Sequence, residues 1–158
     1  MQSGPHVYQC LDRVEIHYHV NENDNDGDPH HDTMLLSWIA AALSHVRESA
    51  HVYDNQLRTI YINNRLGTLT SASPRSMQTA SDVFRHLERF YVDSTRALYH
   101  IREAIKTART LTFAMTMRDG RSLSCRCIPA FGSRANVIGV VVLGEIEQHG
   151  TEIRGERP

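Results

Sequence analysis

The strongest constraint on the fold is a stretch of strict alternation between residues 111 and 117. Large apolar side chains occupy every second position, and threonine or alanine fills the positions between them; the apolar residues are Leu111, Phe113, Met115 and Met117. Successive side chains of a β-strand point to opposite faces. This segment is therefore predicted to be a strand with one large apolar face, which other elements must cover.

Two further strands are predicted to follow the alternating segment. Asp119 and Gly120 are typical of a tight hairpin turn, because both residue types tolerate the positive φ that such turns need. Apolar residues alternate again over residues 122–128, and residues 129–136 are predicted to form a loop. A further strand is predicted over residues 137–145, and its residues 137–144 are apolar on both faces. A strand with two apolar faces is typical of the centre of a sheet.

The preceding half of the chain mixes helical and strand patterns. Apolar residues recur every three or four positions over residues 32–48, which predicts a helix. Strand patterns return at residues 50–54 and 59–63, and helical stripes occupy residues 81–108, with a break where Asp93 or Ser94 can cap a second helix. The predicted fold class is α+β: a five-stranded antiparallel sheet with helices on one face, plus an N-terminal extension and helix.

Turn-forming polar residues at 21–28 divide the beginning of the chain from the rest. Residues 1–31 are predicted to be an N-terminal extension made of a strand and an acidic linker. Residues 32–48 are predicted to be a flanking helix and residues 49–147 the main domain. Residues 148–158 are predicted to be a flexible tail.

Composition and charge argue against several classes of binding partner. The 158 residues carry a net charge of −1, and the arginines form no basic stripe, so neither nucleic acid nor a membrane surface is predicted as a partner. The longest apolar run, 137–143, is far shorter than the ~20 residues that span a bilayer. With three cysteines, an odd count, and no secretory leader pattern, the chain is predicted to be a cytoplasmic protein with reduced thiols.

Residues 48–64 resemble the opening hairpin of the PAS family, in which an Asp follows the first strand and an Asn ends the second. Asp54 and Asn63 occupy those positions. The turn at 118–121, followed by a strand, Pro129, a loop and the strand that contains Gly139, is similar to the closing hairpins of the family. The resemblance covers residues 44–147, although residues 64–81 lack the aromatic-Gly step usual in the family.

The resemblance implies a sensory or dimerisation module in signal transduction that regulates an output domain or a partner protein. In this family a sheet and helices enclose a small cavity, which can hold a small apolar ligand. The residues expected to line it are Leu98, Ile101, Ile105, Leu111, Phe113, Met115, Met117, Leu123 and Cys125. Methionine adapts to irregular space, although the same side chains can simply fill a core.

A homodimer is predicted from the helix at 32–48, whose apolar residues outnumber those that a single stripe needs. The residues expected at this interface are Leu35, Leu36, Trp38, Ile39, Leu43 and Val46. The alternative is that the helix packs entirely on the N-terminal strand of its own chain.

A haem site is the most specific hypothesis drawn from the resemblance. Haem-binding members of the family place a proximal histidine on the helix before the third strand, and His100 lies at about that interval before Leu111. The small residues Ala104 and Ala108 would admit a porphyrin edge. Otherwise the cofactor is unknown, and a small apolar ligand or none is expected.

The other histidines and acids give weaker indications of metal binding. His17 and His19 share one strand face near His30 and His31, a set that Zn²⁺ could use, but no established zinc spacing is present. Residues 22–33 place Gly27 as a calcium loop would, yet the loop ends at Thr33 where a bidentate Glu is needed.

Two functions from other classes stay open beside the sensory module. One is a small α+β enzyme that uses a Cys or His in its cavity, since such partners meet in space rather than in sequence. The sequence contains no nucleophile-elbow, phosphate-loop or dinucleotide motif to support it, and no catalytic residue is predicted. The other is a structural adaptor that dimerises without binding a ligand.

Overall fold

The computed structural model of the chain describes residues 6–10, 13–17, 29–70 and 72–148, with the backbone alone at 6–10, 13–17, 29–30 and 74. Seven strands and three α-helices occupy these ranges. The strands are β1 His6–Cys10, β2 Arg13–His17, β3 Ser49–Asp54, β4 Thr59–Asn63, β5 Leu111–Thr116, β6 Ser122–Phe131 and β7 Val137–Ile146. The helices are α1 Pro29–Leu43, α2 Ala80–Leu87 and α3 Thr95–Thr107, with a short 3-10 helix at Pro74–Met77 before α2.

All strands belong to one antiparallel sheet, in the order β1-β2-β4-β3-β7-β6-β5. The five strands predicted for the main domain are confirmed, and so is the α+β fold class. The hairpin of β1 and β2 extends the sheet beyond β4. Residues 21–28 and 149–158, predicted to be a linker and a tail, lie outside the described residues.

The β5–β6 hairpin follows from its turn residues. The Asp119 carboxylate accepts a hydrogen bond from the backbone N–H of Arg121 at 3.0 Å, and Gly120 adopts a φ of 92° that other residues rarely reach. The turn brings Met115 opposite Leu123 and Phe113 opposite Cys125, so their side chains share one face of the sheet.

β6 is longer than predicted, because Pro129 pairs within the sheet instead of starting a loop. The pairing of β5 with β6 ends at Cys127, so beyond this point β6 has a neighbour on one side only. Proline lacks the N–H that a second neighbour would require, and an edge position does not need it. The loop is correspondingly shorter and begins at Gly132.

Local sequence signals explain how α2 and α3 begin and end. A capping box at Thr79 and Asp82 starts α2. Ser94 precedes α3, and its hydroxyl donates to the Phe84 carbonyl at 2.8 Å, which fixes the two helices relative to each other. Ala108 ends α3 in the left-handed conformation. The predicted break near residue 94 is confirmed.

The sheet has a separate core on each face. The inner core joins α2 and α3 to one face and includes Tyr53, Phe84, Ile101 and Met115. The outer core joins α1 to the other face, around Leu36, Val52, Ile60 and Val141. Each fully buried large apolar side chain contributes roughly 1.5–3 kcal/mol. Neighbouring residues of β3 therefore support helices on opposite sides of the sheet.

The position of α1 depends on Gly139 of β7. A Cβ on this residue would clash with the Tyr53 carbonyl oxygen and lie 2.9 Å from a δ-carbon of Leu36. Glycine thus lets β3 and α1 approach β7 closely. None of the helices within the described ranges is long and apolar enough to cross a membrane.

Candidate ligand cavity

A small cavity of about 30 Å³ lies between the inner face of the sheet and α2. This space holds one or two water molecules. Its sheet side is formed by Phe113, Met115, Leu123, Cys125, Val142 and Gly144. Its helical side is formed by Phe84, Leu87 and Tyr91, and the remaining apolar residues are Leu66 and Leu69 of the loop after β4.

Four of the nine residues expected at the cavity line it: Phe113, Met115, Leu123 and Cys125. The other five belong to the inner core or pack against it without lining the cavity; these are Leu98, Ile101, Ile105, Leu111 and Met117. The strand pattern therefore identified the sheet wall, while the helical wall comes from α2 instead of the expected α3.

The polar residues that line the cavity within the described part of the chain are uncharged: Ser49, His51, Asn63 and Thr68. Sequence reasoning did not assign any of them to the cavity. His51 and Asn63 belong to the two strands that resemble the PAS opening hairpin. That resemblance was the only sequence signal that could have assigned them to the cavity. Their neutrality restricts the ligands that the cavity could hold.

His51 is fully buried on β3, and its Nδ1 lies 2.8 Å from the hydroxyl oxygen of Tyr53. Burial lowers the pKa of His51 to about 4, because a charged imidazole would lose its hydration. Burial also raises the pKa of Tyr53 well above its ordinary value, with Cys127 contributing. Both rings are consequently uncharged at neutral pH.

Asn63 anchors the beginning of β3 from the end of β4. Its side-chain oxygen accepts from the backbone N–H of Ala50 at 2.9 Å, and its amide donates to the Glu48 carbonyl at 3.0 Å. Asp54 closes the other end of the same hairpin by accepting from the backbone N–H groups of Gln56 and Arg58. The two residues that carry the family resemblance thus hold the strands that frame the cavity.

The loop after β4 forms one side of the cavity through Thr68. Tyr91 also lines the cavity, and burial raises its pKa to about 12. On the other side of the loop, Nε2 of His86 lies 3.3 Å from the Thr68 carbonyl oxygen. Asn64 fixes the loop further by accepting from the backbone N–H of Leu69 at 2.9 Å.

Cys125 and Cys127 do not form an activated nucleophile. Burial raises the pKa of each thiol to about 12, and Cys125 adds to the effect at Cys127. A reactive cysteine needs a lowered pKa and access to solvent. Although Cys125 and His51 both line the cavity, the alternative of a Cys–His enzyme finds no support in these pKa values.

His100 lies flat on Phe113, with ring centroids 4.5 Å apart and 8° between the planes. Its Nε2 is buried and has no hydrogen-bond partner among the described residues, and burial together with the Arg96 charge lowers its pKa. A nitrogen ligand is thus available, but His100 does not line the cavity. Since the cavity holds only one or two waters, these residues as arranged do not fit a haem.

The six residues expected at a dimer interface divide between two environments. Leu36 is only 1% exposed and packs into the outer core, where Leu35, Ile39, Leu43 and Val46 are partly buried. Trp38 is 60% exposed, and its neighbour Met34, which was not assigned to the interface, is 45% exposed. The apolar surface that α1 leaves open is therefore centred on Trp38 and Met34.

The remaining metal hypotheses concern side chains that lie outside the described residues: His17, His19, His30 and the loop at 21–28. Over the residues whose side chains are described, no group of three or more histidine, cysteine or acidic side chains could hold a metal ion.

Comparison with known proteins finds similar structures but no relatives by sequence. No protein-family model matches the chain, and no curated protein matches it. The phage VqmA–DPO complex aligns with 74% of this chain and 55% of its own, at 12% identity and a TM-score of 0.51.

Two further solved structures cover most of their own length. The PAS domain of a Colwellia psychrerythraea protein aligns with 72% of this chain and 97% of its own, at 19% identity and a TM-score of 0.47. A sensory box sensor histidine kinase from Vibrio cholerae aligns with 80% of this chain and 100% of its own, at 8% identity and a TM-score of 0.49. At these identities the likeness concerns the fold alone.

Proposed function

We propose that this chain, which has a PAS-like fold, is a sensory module that binds a compact neutral ligand in the cavity and signals to a partner through α1. The observation that carries the proposal is the composition of the cavity. Its wall combines an apolar majority with four uncharged polar residues, Ser49, His51, Asn63 and Thr68. Small-molecule sites typically have this composition.

The electrostatics of the cavity favour a neutral ligand. Among the residues that the structure describes, no acidic, lysine or arginine side chain lines it. The pKa of His51 is lowered to about 4 and that of Tyr91 is raised to about 12, so neither residue would neutralise a charged ligand at pH 7. A charged group would lose its hydration without gaining an opposite charge, and this is costly.

The cavity must widen to admit anything larger than water, because its volume is about 30 Å³. Met115 and Phe113 are suited to this movement, since both lie on β5, the edge strand of the sheet. Methionine also changes rotamer easily. The ligand would therefore be a small, uncharged and mainly apolar molecule with one or two hydrogen-bonding groups.

Signalling through α1 is proposed because β3 contributes to both faces of the sheet. His51 lines the cavity, whereas the adjacent Val52 belongs to the outer core beneath α1. A shift of β3 on ligand binding would thus reach α1 directly. Trp38 and Met34 would then contact a second copy of the chain or an output protein. The absence of a nucleic-acid partner stays a prediction.

The test compares thermal unfolding of the wild type and Cys125→Val in the presence of small neutral compounds. DPO is a suitable first probe because the phage VqmA structure contains it. Valine adds one methyl-sized volume to the cavity wall, so it should block a ligand with little strain. Compounds that bind the cavity will raise the unfolding temperature of the wild type but not of Cys125→Val.

A ligand-free dimerisation adaptor is the competing function, and the small volume of the cavity favours it. In that case Cys125→Val would be the more stable protein, and no compound would stabilise the wild type selectively. This outcome would contradict the sensory proposal and leave the role of α1 intact.

A further inference from the structure

A second concave site lies outside the inner core, between the short 3-10 helix and α2. Its volume is about 520 Å³. We call it the arginine groove, after the three arginines that line it: Arg75, Arg85 and Arg89. Ser73, Ser76 and His86 also contribute to its walls. It is separate from the ligand cavity and shares no lining residue with it.

Positive charge predominates in the arginine groove. Of the described residues that line it, only Asp82 is acidic, and the Asp82 carboxylate already accepts from the Thr79 hydroxyl at 2.9 Å within the capping box. Its distance to the Arg85 guanidinium is 3.8 Å, which is long for a charge-assisted hydrogen bond. One carboxylate therefore faces three guanidinium groups, although the whole chain carries a net charge of −1.

Arg75 and Arg89 have no ion pair or hydrogen bond among the side-chain contacts of the described residues. Their donors are available to a ligand, because both side chains are exposed at the groove. Arginine presents a planar set of donors that matches the oxygens of phosphate and carboxylate groups. Uncompensated arginines that converge on one concave surface are suited to a ligand with several anionic groups.

We infer that the arginine groove binds a compact polyanion, a small molecule with at least two phosphate or carboxylate groups held by Arg75, Arg85 and Arg89. The groove is concave, and its volume falls within the range of small-molecule sites, roughly 300–1,000 Å³. A concave site of this size fits a compact ligand better than it fits a nucleic-acid duplex, which needs an extended basic stripe. The inference does not depend on the proposed function of the cavity.

Isothermal titration calorimetry of the full chain at low ionic strength tests the inference, with sodium triphosphate and sodium citrate as probes. The groove variant is Arg75→Gln with Arg89→Gln. The matched control is Arg109→Gln with Arg126→Gln, which removes the same charge from exposed positions away from the groove. Circular dichroism melting curves confirm that both variants fold.

The expected result is saturable binding of at least one probe to the wild type. The groove variant should bind about tenfold or more weakly, because two charge-assisted contacts are lost, whereas the control should stay within about twofold of the wild type. A preference for triphosphate or citrate assigns the ligand to the phosphate or the carboxylate class.

Three results would overturn the inference. The first is that neither probe binds the wild type saturably. The second is that the groove variant and the control weaken equally, since that loss would reflect net charge alone. The third is that a DNA duplex binds through Arg75 and Arg89 while neither small anion does.

Discussion

His51 and Tyr53 meet on the inner face of β3, where the imidazole Nδ1 lies 2.8 Å from the phenol oxygen. The rings are arranged edge to face, with centroids 5.9 Å apart. Either group can donate to the other, depending on the imidazole tautomer. This pair links the wall of the cavity to the inner core, and burial keeps both rings neutral by lowering the pKa of His51 and raising that of Tyr53.

The stability of the fold should fall as the pH drops from 6.5 towards 4 because of His51. Its pKa is about 4 in the folded chain against an ordinary value of 6.5, so the unfolded state binds more protons in this window. The free energy of unfolding should decrease by about 2–3 kcal/mol between pH 7 and pH 4.5. Urea unfolding monitored by circular dichroism at a series of pH values measures this decrease.

Two variants isolate the contribution of His51 from that of the carboxylates and of His100, whose pKa is also lowered. His51→Phe should lose most of the pH dependence, because phenylalanine has no proton to bind. Tyr53→Phe should retain it, because burial and not the hydroxyl contact lowers the pKa of His51. Equal slopes for the wild type and His51→Phe would contradict this account.

Replacing Asn63 should destabilise the hairpin that frames the cavity. Asn63→Ala leaves the buried N–H of Ala50 and the carbonyl of Glu48 without their partner, at a cost of about 2–3 kcal/mol. The adjacent Asn64→Ala is the control. Asn64 makes the same number of side-chain hydrogen bonds in a more exposed setting, so its loss should cost only about 1 kcal/mol. Chemical denaturation of both variants measures the difference, and equal losses would contradict the role of Asn63.

The exposed face of α1 should mediate self-association. Met34→Glu with Trp38→Glu should give a folded monomer in analytical ultracentrifugation, since both side chains are exposed and charges there repel a second copy. Leu36→Glu should unfold the chain instead, because it buries a charge in the outer core. Tyr99→Glu, on the exposed surface of α3, is the control and should stay dimeric. A wild type that is monomeric at about tens of micromolar would contradict the dimer.

The sequence predicted the sheet well because period-two alternation reports directly on burial. The alternation of Leu111, Phe113, Met115 and Met117 identified β5, and the pairing of β5 with β6 followed from the turn at Asp119 and Gly120. Pro129 was misassigned to a loop, because its tolerance in β6 depends on where β5 ends, which is a tertiary property.

The polar half of the cavity could not be predicted from the sequence. Thr68 reaches the site from an irregular loop, so no periodic pattern marks it as inward-facing. The face of α1 that contacts the sheet was equally hidden. Its apolar residues surround most of the helix. Only the close packing of the Leu36 side chain against Gly139 in the structure shows that Leu36 faces the sheet and is buried.

Methyl NMR of the methionines tests the sensory proposal most directly. The chain has five methionines; Met115 lines the cavity, whereas Met34 is exposed on α1. With ¹³C-methyl methionine and a library of small neutral fragments, binding in the cavity should shift the Met115 resonance, and Cys125→Val should abolish the shift. Fragments that leave Met115 unchanged in the wild type, or that shift it equally in Cys125→Val, would contradict a ligand site between the sheet and α2.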